Sequence, residues 1–221
     1  MPIEAVIWDF GGVFTTSPFE AFARYEAGRG LPTGLIRTVN ATNPNSNAWA
    51  LFERGEIDSR AFDQKFLEES TALGHSVRGA EVLPLLSGDV RPLMVEALLI
   101  CKRHFKVGCI TNNMVRGDGP AVAVSPEGAS SAIEIMRHFD VIIESSKAGV
   151  RKPDPRIYLM MCEGLGVEPK ACVYLDDLGV NCKPAAKLGM AAIKVVSEAQ
   201  ALADLERATG LRFRKVAAQQ A

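Results

Sequence analysis

Four places in the sequence carry side chains suited to chemistry on an anion: Asp9, Thr111 with Asn112 and Asn113, Lys152, and the pair Asp176-Asp177. A carboxylate can attack phosphorus and form a covalent intermediate, which splits one difficult displacement into two easier ones. An anionic nucleophile meeting an anionic phosphate needs positive charge nearby. Two adjacent carboxylates repel each other, and a divalent cation offsets that repulsion. Lysine adds a second positive charge, and Thr111 can donate to phosphoryl oxygens. Each group alone has a plainer reading. A strand-end aspartate is commonly a turn or helix cap, and a lysine before proline is commonly a solvated loop residue. Their order along the chain is what argues for a shared site.

That order follows a set of short apolar runs. Ala5-Val6-Ile7-Trp8, Val107-Gly108-Cys109-Ile110, Val141-Ile142-Ile143, Cys172-Val173-Tyr174-Leu175 and Ala191 to Val196 are rich in β-branched and aromatic residues and end in polar ones. Helical patterns at 92–104, 130–138, 155–165 and 180–188 alternate with the later runs. The alternation predicts an α/β fold, a Rossmannoid parallel sheet flanked by helices. Ligands of such sheets bind beyond the carboxyl ends of the strands. Asp9, Thr111, Lys152 and Asp176-Asp177 all fall there. Residues 17–85 contain no convincing strand; Phe19, Phe22 and Ala23, then Phe52, Ile57, Phe62, Phe66 and Leu67, space as amphipathic helices around an Asn- and Pro-rich loop at 40–47. This predicts a helical domain, 17–85, inserted into a core made of 1–16 and 86–221.

The same residues resemble the haloacid dehalogenase-like hydrolase superfamily. Asp9-Phe10-Gly11-Gly12-Val13-Phe14-Thr15 is similar to its first motif and Ile110-Thr111-Asn112-Asn113 to its second. Lys152 within Gly149-Val150-Arg151-Lys152-Pro153-Asp154-Pro155 is similar to the third. Leu175-Asp176-Asp177, with Asn181, Ala186 and Gly189, is similar to the fourth. The helical insertion stands where this family carries a C1-type cap. Phe52 to Ile57 and Arg151 to Tyr158 resemble the branch that contains the N-terminal phosphatase domain of soluble epoxide hydrolases.

The resemblance implies roles. Asp9 is then the nucleophile and a ligand of Mg²⁺. The Gly11 carbonyl is a second ligand and Asp177 a third, with Asp176 close by. Thr111 and Asn112 bind the phosphoryl group, and Lys152 pairs with nucleophile and phosphate. One departure matters. Family phosphatases usually carry a second aspartate two residues after the nucleophile, as general acid and base, and here Gly11 occupies that place. General acid–base catalysis contributes about 10²–10⁴-fold. Three readings therefore stay open: a Mg²⁺-dependent phosphatase of a small phosphorylated metabolite, a regulatory protein that binds phosphate or metal but has lost turnover, and a 2-haloacid dehalogenase. The last is disfavoured because uncompensated carboxylates at 176 and 177 would repel a haloacid.

Bulk properties narrow the rest. Lys plus Arg number 25 and Asp plus Glu 26, a formal net charge of −1, which lacks the basic excess of a nucleic-acid surface. No run reaches the roughly eighteen apolar residues of a membrane span. The opening residues show no basic targeting start, so the cytoplasm is the expected compartment. Five cysteines without C-x-x-C spacing predict buried free thiols. Cap helices in such architectures can support a homodimer. Phe14, Thr15, Thr16, Phe19, Asn45, Asn47 and Trp49 are candidate substrate contacts, with Phe19 and Trp49 better suited to the interior of the helical insertion. The glycine-containing loop Met114 to Ser125 is a candidate gate, and the last five residues are expected to fray.

Overall fold

The computed structural model describes residues 2–114 and 126–213 of the 221-residue chain. All but the first residue of the candidate gate, Met114 to Ser125, and the chain end at 217–221 lie outside them. Five parallel strands form one sheet: β1 Ala5–Trp8, β2 Lys106–Thr111, β3 Val141–Glu144, β4 Cys172–Asp176 and β5 Ala191–Lys194. The spatial order is β3-β2-β1-β4-β5. The chain first winds outward from β1 through β2 to β3, then crosses back to β4 on the other side. The crevice at this reversal, beyond the ends of β1, β2 and β4, is where such sheets take ligands.

A parallel sheet is covered on both faces, so its central strands read as unbroken apolar runs. Every residue of β1 and β4 is buried. Alternate residues serve opposite layers. Val6, Trp8, Val107, Cys109, Val173 and Leu175 pack with α6 (Pro92–Lys102) and α11 (Glu198–Thr209). Ala5, Ile7, Ile110, Cys172 and Tyr174 pack with α9 (Pro155–Leu165) and α10 (Gly179–Lys187). The helix α9 starts where the sequence stops it from starting earlier: the Asp154 carboxylate accepts from the Arg156 N–H at 2.9 Å, and Pro155 takes the first helical position. A further helix, α7 (Pro126–Met136), precedes β3, and a single turn, α8 (Ser145–Ala148), follows it. The sheet runs and helices expected from patterning are found within a few residues. The last strand stops at Lys194 rather than Val196, although the Val195 N–H still donates to the Asp176 carbonyl at 2.9 Å.

Between β1 and β2 lie α1 (Phe19–Gly28), α2 (Leu35–Ala41), α3 (Ala48–Glu53), α4 (Ser59–Ala72) and α5 (Gly79–Val82). This insertion packs an interior of its own. Phe62 lies 4.9 Å from Trp49, 4.8 Å from Phe52 and 5.7 Å from Phe66, ring centre to ring centre. Its two connections to the sheet run side by side. Thr15 and Val90 form an antiparallel bridge, and the Arg91 N–H donates to the Phe14 carbonyl at 2.7 Å. Two candidate contacts have other work. Phe14 is fully buried against Trp8, Phe10 and Phe139, because its position in the tight turn after β1 points it into the layer under the sheet. Asn47 is the cap of α3: its Oδ1 accepts from the Ala50 N–H and its Nδ2 donates to the carbonyls of Asn40 and Thr42. Trp49 is buried within the insertion, and Phe19 lies under the Arg37 guanidinium at 4.5 Å. All five cysteines are free and buried, as expected.

Candidate functional site

Asp9 leaves the carboxyl end of β1, and its own N–H donates to the Leu175 carbonyl of β4 at 2.8 Å, so the sheet ladder holds its backbone. Its Oδ1 accepts from the Phe10 N–H at 2.7 Å and from the Lys152 ammonium at 2.7 Å. Among the described residues nothing hydrogen-bonds to Oδ2. Lys152 is 1% exposed and bridges two carboxylates, Asp9 and, at 2.8 Å, Asp176. Residues 9, 152 and 176 thus converge from three separate parts of the chain.

The adjacent aspartates play unequal parts. Asp176 is fully buried, and its oxygens accept from Lys152, from the Tyr174 hydroxyl at 2.6 Å, from the Leu178 N–H at 2.8 Å and from the Asn181 amide at 3.1 Å. Ionised carboxylates offer about four acceptor sites, so Asp176 is satisfied by protein donors. Mutual repulsion of the pair is thereby relieved on one side without a cation. Among the described residues Asp177 has one side-chain donor, the Ser17 hydroxyl at 3.4 Å.

One oxygen from each of Asp9, Asp176 and Asp177 lies within 4.8 Å of the others. Three carboxylates face one ammonium. Burial, reinforced by the charges of Asp176 and Asp177, raises the Asp9 carboxyl well above the usual range, while Lys152 pulls the other way. Burial likewise pushes Asp177 up to about 6, with Asp176 adding to the shift. Burial opposes the Lys152 charge, but Asp176 and Asp9 outweigh it and hold the ammonium protonated far into alkali. An oxygen-only donor set with surplus negative charge suits a hard divalent cation such as Mg²⁺.

The glycines after Asp9 differ in what they allow. Gly12 has φ +72°, and a Cβ there would lie 2.3 Å from the Asp177 Oδ2. Glycine at 12 is therefore what lets the Asp177 carboxylate approach the turn. A Cβ at Gly11 meets nothing within 4 Å. The missing acid of the first motif leaves open space.

Thr111 ends β2 almost fully buried, and no hydrogen bond engages its hydroxyl among the described residues. Asn112, expected to contact substrate, has its amide already in use. Its Oδ1 accepts from the Lys152 N–H at 2.9 Å, and its Nδ2 donates to the Lys152 carbonyl at 3.1 Å and to Glu53 at 3.2 Å. Substrate binding through the Asn112 side chain would have to break these bonds, so the geometry favours a supporting part. Tyr174, Asn181, Ser17, Arg151 and Glu53 complete the surroundings. Asn181, Arg151 and Glu53 fall within segments that carry the family resemblance, which assigned them no role; Tyr174 and Ser17 carry no such signal in sequence.

Residues 3–189 match the haloacid dehalogenase-like hydrolase family, and the chain belongs to it. It is 31% identical over 228 residues to bifunctional epoxide hydrolase 2 of Sus scrofa, covering 96% of this chain and 40% of that protein. It is 44% identical over 155 residues to flavin mononucleotide hydrolase 1, chloroplatic, of Arabidopsis thaliana, covering 64% of this chain and 54% of that one. The chain thus spans less than two thirds of either relative. Among solved structures it resembles a haloacid dehalogenase family enzyme of Bacteroides thetaiotaomicron in complex with magnesium and inorganic phosphate, with TM-score 0.56, 18% identity, and 89% and 96% of the two chains covered. That likeness concerns the fold. Among the described residues no helix is long and apolar enough to cross a membrane.

Two outcomes are expected. Gly12→Ala loses at least about 1 kcal/mol from the left-handed backbone alone, while Gly11→Ala is near neutral in the same denaturant titration. The Asp177 carboxyl titrates near 6 in the folded chain against an ordinary 3.8. Between these values the folded state holds the proton more tightly than the unfolded one, so this contribution to stability is full in acid and is lost as pH rises through 6. Without metal, the stability difference between wild type and Asp177→Asn falls as pH rises from 4 to 6 and is level above.

Proposed function

We propose that the chain is a Mg²⁺-dependent phosphatase of a small phosphorylated metabolite, with Asp9 as the nucleophile. The observation that carries this reading is the position of Asp9. One of its oxygens is anchored by Lys152 and a backbone N–H while the other is unbonded among the described residues, beside a cluster of carboxylates short of positive charge. Asp9, Asp177 and the Gly11 carbonyl would hold the cation, with Asp176 behind them orienting Lys152. When bound, Mg²⁺ neutralises charge on the phosphoryl oxygens as a Lewis acid.

In this reading the Asp9 Oδ2 attacks phosphorus and the ester P–O bond breaks, leaving an aspartyl-phosphate. The Lys152 ammonium stays charged and fixes the attacking carboxylate, and the Thr111 hydroxyl donates to a phosphoryl oxygen. Water then attacks the acyl phosphate, which releases inorganic phosphate and restores Asp9. No side chain at position 11 can protonate the departing alkoxide. The leaving group takes its proton from water, and substrates with acidic alcohols are favoured. The helical insertion acts as a cap that selects the organic part of the substrate, because the rim residues recognise only the phosphoryl group. The likeness to a flavin mononucleotide hydrolase places phosphorylated cofactors among the substrates worth testing.

The test is Mg²⁺-dependent hydrolysis of para-nitrophenyl phosphate and a panel of phosphorylated metabolites, with a 2-haloacid included. Turnover of the aryl phosphate is expected, and Asp9→Asn abolishes it without loss of fold. Halide release without phosphate release would assign the dehalogenase chemistry instead. Phosphate binding without turnover would assign the non-catalytic reading. Gly11→Asp, which enters open space, raises turnover of esters with poor leaving groups by up to about 10²-fold; a decrease would place the missing acid elsewhere.

A further inference from the structure

Glu53, the last residue of α3, is a side chain of the helical insertion bonded to both Asn112 and Arg151, the residues that flank Lys152. Its Oε2 receives the Asn112 amide at 3.2 Å and lies 2.6 Å from the Arg151 Nε. Both partners adjoin the catalytic lysine. Arg151 precedes it in sequence, and Asn112 brackets it, accepting from its N–H and donating to its carbonyl. The Glu53 side chain is 15% exposed and that of Arg151 22%, so solvent screens their attraction only partly.

The backbone at the same point is tied as firmly. The Ser145 hydroxyl donates to the Glu53 carbonyl at 2.5 Å and accepts from the Asn113 N–H at 3.1 Å. Arg151 reaches further into the insertion, donating through Nη1 to the Pro44 carbonyl at 3.0 Å. Gly55, with φ +71°, seats against the Ser146 carbonyl so closely that a Cβ would lie 2.7 Å from that oxygen. The end of α3 is thus keyed into the loops that follow β2 and β3.

We infer that Glu53 is a positioning residue for the phosphatase reaction proposed above: through Asn112 and Arg151 it sets the backbone of Lys152, and so the reach of the ammonium to Asp9 and Asp176. The inference rests on that reading and extends it, because it makes seating of the insertion a condition for the lysine to be in place. A charge-assisted bond holds a donor more firmly than a neutral one, and support of this kind around an active group is worth roughly tenfold or more. Glu53 touches neither Asp9 nor the carboxylates beside it, so its effect belongs to kcat rather than to binding of substrate.

The test is a double-mutant cycle on the full chain with para-nitrophenyl phosphate. Glu53→Ala lowers kcat about tenfold with KM within about twofold, and Glu53→Gln, which keeps an acceptor for Asn112, recovers part of the loss. In a background that lacks both links, Asn112→Ala with Arg151→Ala, the same Glu53 changes alter kcat less than about twofold, because the contacts they act through are gone. Wild-type kcat in Glu53→Ala, or an equal loss in both backgrounds, overturns the inference. If Glu53→Ala does not fold, the near-isosteric Gln variant carries the cycle. The ¹⁵Nζ resonance of Lys152, identified by its loss in Lys152→Arg, reads the same cycle without turnover. It is expected to be sharp in the wild type and broadened in Glu53→Ala, and an unchanged signal overturns the inference. If the wild type hydrolyses no phosphate ester yet the resonance responds, the phosphatase reading fails and the positioning stands. If hydrolysis proceeds and neither readout responds, the reverse holds.

Discussion

A buried ammonium group organises this protein. The Lys152 side chain, almost wholly out of water, bridges Asp9 and Asp176 at 2.7 and 2.8 Å. A charge in that setting is tolerable only when paired and hydrogen-bonded. Everything around it serves the pairing. Asp176 is fixed by Tyr174, Asn181 and the Leu178 N–H, and Asp9 by the backbone of β1 and the turn after it. Lys152 itself is gripped through its main chain by Asn112.

The arrangement leaves a deliberate imbalance. One ammonium cannot neutralise three carboxylates, and among the described residues Asp9 and Asp177 receive fewer side-chain donors than Asp176. Burial raises both of these groups toward protonation. A site built this way is uncomfortable alone and relieved by a cation, which is the electrostatic condition for drawing in a metal together with an anionic substrate. Gly12 allows the close approach of Asp177 that adds to the imbalance, whereas Gly11 leaves open space beside it.

The insertion and the sheet are separately packed but jointly anchored. The ring cluster around Phe62 makes the insertion's interior independent of the sheet's two layers. A polar seam joins them where Glu53, Gly55 and Pro44 meet Ser145, Ser146 and Arg151, and Met114, just past the end of β2, packs into the insertion's cluster. A polar seam of this kind can hold one orientation closely without a large apolar interface, because hydrogen bonds and charge pairs are directional.

The alternation of strand and helix was legible in the sequence because buried parallel strands are uniformly apolar and the intervening helices keep a 3.6-residue rhythm. The polar residues ending the central strands were legible too, so Asp9, Thr111 and Asp176-Asp177 could be named from sequence, and Lys152 from the segment that follows β3. Residue type and strand position suffice for that, since parallel topology carries all strand ends to one rim. What each group does there was not legible. Asn112 and Asp176 carry polar atoms suited to ligands, yet the fold satisfies them internally, and only the neighbours brought up from residues 53, 152, 174 and 181 reveal this. Phe14 and Asn47 likewise show side chains compatible with a binding surface, but one turns into the core and the other caps a helix. Pattern records which residues can do chemistry; hydrogen-bond saturation, which depends on partners far away in the chain, was decided by tertiary structure alone.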